Sequence, residues 1–203
     1  MARKTKEDTE QTKSAILDSA LRTFYEKGFS RTTFDEIAKR INLTKGAIYW
    51  HFKNKTDVIV EIIKQRIDQN NSEIYRADTI EELKNIIVKR AQHIENNKDV
   101  KDFLFFMIYR MEWSEVVLNN VWEQIGDLCE IPDKNMYEIL LNLQKNGHIK
   151  KDIKIVDLSE ILICFMRGCI NKYVSGKNNN MKLTIIMAEG FDAIMNSVKV
   201  EKN

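Results

Sequence analysis

A chain of 203 residues suits one small domain joined to a larger one, and its hydrophobic share of 43% excludes wholesale disorder. One proline and seven glycines leave few forced breaks, which favours helices, and no stretch approaches the ~20 apolar residues of a membrane span. The net charge of +2 hides an uneven spread: residues 1–55 hold twelve Lys or Arg against seven Asp or Glu, the remainder twenty against twenty-three, so a basic head fit to meet a polyanion precedes a mildly acidic body.

In chain order, Ile16, Leu17, Ala20, Leu21, Phe24 and Tyr25 recur at helical spacing and predict an amphipathic first helix. Gly28 ends it, and Phe29 is placed to fold back on the last turn. Thr33 is the predicted cap of a short second helix, with Glu36 completing a capping box and Phe34, Ile37, Ala38 and Ile41 forming the buried stripe. Asn42 accepts a left-handed backbone and ends that helix. Thr44 is then placed to cap a third helix running to about Phe52. A fourth starts after Asn54 and turns Val58, Ile59, Ile62, Ile63 and Ile67 inward.

The second and third helices with their short turn predict a helix-turn-helix. Its apolar positions leave Lys45, Gly46, Tyr49, Trp50 and His51 facing outward. Lysine, tyrosine and histidine donate to phosphate oxygens, glycine admits a close backbone approach, and the aromatics can lie against sugars or thymine methyls. Thr32, Thr33 and Thr44 add hydroxyls near helix N-termini, where free N–H groups already favour an anion. A helical subdomain with surface aromatics is the plainer alternative, but two adjacent exposed aromatics on so small a unit favour DNA binding.

The run Thr12 to Phe29 (T-K-S-A-I-L-D-S-A-L-R-T-F-Y-E-K-G-F) resembles the opening helix of the TetR/AcrR family of transcriptional repressors. The run Thr32 to Lys55 (T-T-F-D-E-I-A-K-R-I-N-L-T-K-G-A-I-Y-W-H-F-K-N-K) resembles that family's helix-turn-helix. The Met-Ala-Arg-Lys-Thr-Lys start and the Gly46 to Phe52 run look closest to its multidrug-efflux repressor branch. The resemblance implies an all-α protein, with a three-helix DNA-binding domain over 1–55 and a larger ligand-binding and dimerisation domain over 56–203. It also places Thr33, Thr44, Lys45, Gly46, Tyr49, Trp50, His51 and Lys55 at DNA-contacting positions. Asn42 stands where many members carry glycine, and no motif-level match extends beyond residue 70.

The body reads as further helices. Thr79, with Glu82, caps one running to about Asn96, and an apolar segment spans Lys101 to Glu112. Another surrounds Val116 to Ile125, and Pro132 opens a helix that ends at Asn146 before Gly147. Asp157, with Glu160, is the predicted cap of a helix ending at Gly176, striped by Leu158, Ile161, Leu162, Phe165, Met166, Cys169, Ile170 and Tyr173. After a Gly176 to Asn180 turn, a last helix spans Leu183 to Val200. The final pair is apolar over more than one face and holds Gly168 and Gly190 inside it, as expected where backbones approach closely. Such a hairpin either pairs with a twofold mate as a four-helix bundle or is buried within one chain; the family resemblance favours the homodimer.

The aromatic and methionine content of the body admits two uses, ordinary core or an adaptable apolar pocket for a small-molecule inducer. The expected pocket lies near the junction of the sixth, seventh and eighth helices, with Phe106, Met111, Trp113, Trp122 and Phe165 as walls. Arg110, Glu112, Glu115, Gln124, Arg167 and Asn171 are its polar neighbours, an acid favouring cationic lipophiles. Catalysis, metals and cofactors find no support: there is no phosphate-cradling glycine loop, no nucleophile elbow and no paired carboxylates. The three cysteines, Cys129, Cys164 and Cys169, lack metal-ligand spacing, and Cys164 and Cys169 read as small core residues. The polar start, Met1 to Gln11, has no signal-peptide core, so a cytoplasmic location is expected. The expected function is a ligand-released repressor that binds double-stranded operator DNA as a dimer and controls an efflux system; regulation of lipid or other metabolic genes is the alternative.

Overall fold

The structure, a computed structural model, describes residues 6–70, 76–176 and 180–200. The basic start before Lys6, the turn at 177–179 and the side chain of Cys129 lie outside the described residues. The described chain is helical: α1 (Lys6–Lys27), α2 (Phe34–Arg40), α3 (Lys45–His51), α4 (Lys55–Asn70), α5 (Ile80–Asn96), α6 (Lys98–Phe105), a π turn (Phe106–Arg110), α7 (Glu115–Lys145), α8 (Ile155–Val174) and α9 (Leu183–Val198). Among the described residues no helix is long and apolar enough to cross a membrane. The helices group into two compact units: the described residues up to Ser72 with Tyr109–Cys129, and those of Glu73–Ile108 with Glu130–Asn203.

In the first unit α1 buries Ile16, Leu17, Ala20 and Phe24, the stripe that its sequence predicts. Gly28 closes the helix at φ 84°, and the Phe29 ring folds back to 5.3 Å from that of Phe24. The buried hydroxyls of Ser19 and Thr23 are satisfied: Ser19 Oγ donates to the Ile37 carbonyl at 2.9 Å, tying α1 to α2, and Thr23 Oγ1 donates to the Ser19 carbonyl at 2.7 Å. Leaving either unpaired would cost about 1–3 kcal/mol. At the start of α4, Asn54 Oδ1 accepts from Asp57 N while Asp57 Oδ2 accepts from Lys53 N. That helix buries Val58, Ile59, Ile62 and Ile63.

The second unit has its own core, built from Leu83, Ile87, Ala91, Leu140, Leu143, Leu158, Leu162, Met187, Phe191 and Met195 among others. Thr79 caps α5 by accepting from Glu82 N at 3.1 Å, as its spacing predicts. Within the α8–α9 hairpin the Phe165 ring sits on Gly190, where an added Cβ would lie 2.1 Å from Cζ. The close approach expected at that glycine is therefore made by a ring. Gly168 instead meets open space, and Ile161, Ile185 and Ile186 are exposed, so this hairpin carries a second apolar face in addition to its buried one.

Several predicted boundaries change. The Lys101 to Glu112 segment is not one helix: Asn97 Oδ1 accepts from Val100 N and starts α6 at Lys98, and the chain leaves helical form after Arg110. There Arg110 Nη1 donates to the Tyr25 carbonyl and Glu112 accepts from Ser30 Oγ, contacts that a continued helix would not make. The segments expected around Val116 and after Pro132 are a single helix, α7, with Pro132 inside it. A proline there forgoes one backbone bond and costs ~3 kcal/mol, and burial of Val121, Ile125, Met136 and Leu140 on either side offsets it. Asp157 does not cap α8, which begins at Ile155 after Lys154 without a side-chain cap. The carboxylate stands in the first turn, where the helix dipole still favours it. Cys164 is exposed rather than core, whereas burial pushes the Cys169 thiol up.

Candidate nucleic-acid interface

The site grows from two helix ends. At the start of α2, Thr33 Oγ1 accepts from Glu36 N at 3.3 Å and Glu36 Oε2 accepts from Thr33 N at 3.0 Å, a complete capping box. At its end Asn42 takes φ 55°, its N–H reaching Lys39 O at 3.3 Å while Leu43 N reaches Ala38 O at 2.9 Å. This paired closure stops a helix and reverses the chain, and asparagine pays only a small steric penalty for it. Two residues later Thr44 Oγ1 accepts from Ala47 N at 3.2 Å and starts α3.

Burial of Ile48 and Phe52 then fixes which side of α3 looks out. Lys45 and Gly46 are exposed, Tyr49 is 52% and Trp50 69% exposed, and His51 is half-buried. The Tyr49 ring meets that of Phe34 edge-on, with centroids 5.0 Å apart, and the Lys45 ammonium lies 5.6 Å from its centroid on the same helix. The Trp50 and His51 rings meet edge-on at 4.6 Å. An added Cβ at Gly46 would find only Thr44 Oγ1, at 3.8 Å, so no protein neighbour demands glycine there.

Two expected phosphate ligands stand differently. Thr32 is buried, its hydroxyl donating to the Gly28 carbonyl at 2.8 Å, so it braces the turn before α2 rather than facing solvent. Lys55 directs its ammonium inward, to the carbonyls of Phe29 at 2.7 Å and Ser30 at 2.8 Å, and burial lowers its pKa despite the nearby Glu112. The hydroxyls of Thr33 and Thr44 are occupied in capping.

Ion pairs on this unit join Lys27 with Glu36 at 2.5 Å, Lys39 with Asp35 at 2.6 Å, Lys13 with Glu61 at 2.5 Å, and Arg40 with Glu26 through two bonds of 2.7 and 2.6 Å. The Lys27 ammonium, with both the N–H and the hydroxyl of Thr33, holds the Glu36 carboxyl down to about 2. Lys45 stands exposed beside Tyr49.

Ser30, Arg110 and Glu112 were not legible as supports of this unit. Arg110 and Glu112 were expected beside a pocket, and their partners at Tyr25 and Ser30 lie more than eighty positions away in sequence. Of the expected pocket walls, Met111 is buried, and Trp113 and Trp122 are exposed, all in the first unit. Phe106 is buried and Phe165 rests on Gly190, both in the second. Arg167 pairs with Asp133 at 2.7 Å. An open hollow lined by Asp8, Gln11, Thr12, Ala15, Ile41 and Leu43 contains none of these walls.

A capped short helix, a tight left-handed turn and a second helix with basic and aromatic residues outward define a helix-turn-helix DNA-binding protein. The family model for bacterial regulatory proteins of the tetR family matches residues 16–62. The chain is 55% identical over 62 residues to the HTH-type transcriptional regulator AcrR of Shigella flexneri, a match that covers 30% of this chain but only 29% of that relative. Among solved structures, NalD, the secondary repressor of the MexAB-OprM multidrug efflux pump in Pseudomonas aeruginosa, superimposes with a TM-score of 0.81 at 20% identity, over 97% of this chain and 100% of that one. A SmeT–triclosan complex does so with a TM-score of 0.80 at 21% identity, over 94% and 93%; SmeT is the repressor of a Stenotrophomonas maltophilia multidrug efflux pump. Residues 16–62 thus carry a DNA-binding domain of the tetR type, and the relatives that the chain resembles are transcriptional regulators.

Proposed function

We propose that this protein is a repressor that grips a pseudo-palindromic operator through α3 of two copies and lets go when a small lipophilic or cationic molecule binds its C-terminal helices. The observation that carries it is the outward face of α3, where Lys45, Gly46, Tyr49 and Trp50 stand together above buried Ile48. On this reading Lys45 and Tyr49 contact phosphate, Gly46 lets the backbone approach, and Trp50 and His51 lie against the groove wall. Thr33 and Thr44 present helix N-termini to phosphate, and Lys55 supports the turn behind them.

Pairing through the α8–α9 face is supported by its uncovered isoleucines and by the open space at Gly168. Two heads on one twofold axis read half-sites centred ~34–36 Å apart or a multiple of that spacing. An inducer is supported by the triclosan bound to SmeT and by the half-buried Phe165 and Met166 of α8. Control of an efflux system is supported by the likeness to NalD and SmeT, which repress multidrug efflux pumps. A ligand that prefers the DNA-free conformation weakens DNA binding by the factor by which DNA weakens its own.

The test begins with duplexes selected by the full-length protein from a random-sequence DNA pool. Replacing Lys45 or Tyr49 with alanine is expected to cut affinity for the selected duplex at unchanged thermal stability, and Lys45→Ala to flatten the salt dependence by about one unit of slope per lysine. Unchanged binding in both variants overturns the assignment of α3. Tryptophan quenching by a panel of cationic dyes, with and without the duplex, tests release; quenching that leaves DNA affinity untouched removes the inducer.

A further inference from the structure

We propose that Phe34 is a positioning residue for DNA binding: it touches no DNA itself, and its ring holds Tyr49 in the orientation from which the phenol meets the duplex. The inference rests on α3 being the DNA-contacting helix. Phe34 is the first residue of α2, directly after the Thr33 cap, and is almost wholly buried. Its ring meets that of Tyr49 at 72° between planes, with centroids 5.0 Å apart, an edge-to-face contact across the helix-turn-helix.

Tyr49 needs such a support because half of its surface is open, and a helical tyrosine has two accessible χ1 orientations, 180° and −60°. Besides Phe34, the Lys45 ammonium lies 5.6 Å from the ring centroid, and that lysine is itself exposed, on a flexible four-carbon stem. Phe34 is fixed from both sides. Its backbone follows the Thr33–Glu36 capping box, and its side chain is buried between α2 and its neighbours. The rigid ring therefore selects the orientation of the mobile one. A side chain already placed loses less freedom when it binds, so the gain appears as DNA affinity rather than as stability.

The experiment is a double-mutant cycle on the full-length protein, with a duplex selected from a random-sequence pool by the unaltered chain. Phe34→Leu keeps an apolar side chain in the site and removes the aromatic edge. It is expected to weaken binding roughly threefold to tenfold, the factor an aromatic pair supplies. In a Tyr49→Ala background the same change is expected to do almost nothing. Three-bond couplings at Tyr49 are expected to shift from one χ1 orientation to an average. An equal loss of affinity in both backgrounds overturns the proposal, since Phe34 then acts on the fold alone; so does unchanged binding by Phe34→Leu. If Tyr49→Ala by itself leaves DNA affinity intact, it is the assignment of α3 that fails, and the proposal with it. Should Phe34→Leu not fold, Phe34→Met supplies the flexible apolar replacement, with the same outcomes deciding.

Discussion

Gly46→Ala separates a structural role from a DNA-binding one with a single methyl group. Gly46 lies in the first turn of α3 at an ordinary helical φ, and the added Cβ would meet only Thr44 Oγ1 at 3.8 Å, an ordinary contact. The protein alone should therefore tolerate alanine and gain from it, because glycine in a helix costs roughly 0.5–1 kcal/mol relative to alanine. For a chain of this length that gain corresponds to a rise of about 1–4 °C in Tm. DNA binding should move the other way. If the backbone at residue 46 lies against a phosphate, the methyl holds it off and loses one charge-assisted hydrogen bond per head, about 1.5–3 kcal/mol or roughly tenfold to a hundredfold. Calorimetry gives the first quantity, and fluorescence anisotropy on a selected duplex at fixed salt gives the second. A variant that is more stable and binds DNA as well as the parent refutes the placement of Gly46 at the duplex. A variant that is less stable refutes the packing argument.

Three further outcomes are expected. The Glu36 carboxyl is held down to about 2 against an ordinary 4.5, so its contribution is complete above pH 4.5 and is lost as pH falls towards 2; Glu36→Gln should flatten that acid limb in urea unfolding curves, and an unchanged limb rejects the capping account. Gly190→Ala must displace the Phe165 ring from 2.1 Å and should cost about 1–3 kcal/mol of stability, most of it recovered by adding Phe165→Leu; additive losses in the double variant reject this contact as the cause. Gly168→Asp meets open space within its own chain, so the fold should survive while sedimentation shows a monomer; a dimer that persists removes the α8–α9 face as the interface.

The head was legible almost residue by residue because its information is local. A capping box spans four residues, a left-handed asparagine announces a turn by itself, and the two-sidedness of α1 follows from apolar spacing. These signals need no partner from elsewhere in the chain, and Thr33, Asn42 and Thr44 stand as their chemistry requires. The body was legible less well because its boundaries depend on competition between distant contacts. Pro132 reads as a helix start, yet apolar burial on both sides carries α7 through it. Arg110 and Glu112 read as pocket groups until the fold brings Tyr25 and Ser30 to them.

The order of residues alone thus determined that the chain is helical, where the helix-turn-helix lies, and that Lys45, Gly46, Tyr49 and Trp50 of α3 look outward, since each follows from local periodicity and capping. Three-dimensional packing decided the rest. It turned the Thr32 hydroxyl and the Lys55 ammonium inward, set the Phe34 ring beside Tyr49 and seated Phe165 on Gly190. The reason is physical: a side chain's own pattern says which face of a helix it occupies, but only the neighbour that fills the space beside it says whether that face meets water, a carbonyl or another ring.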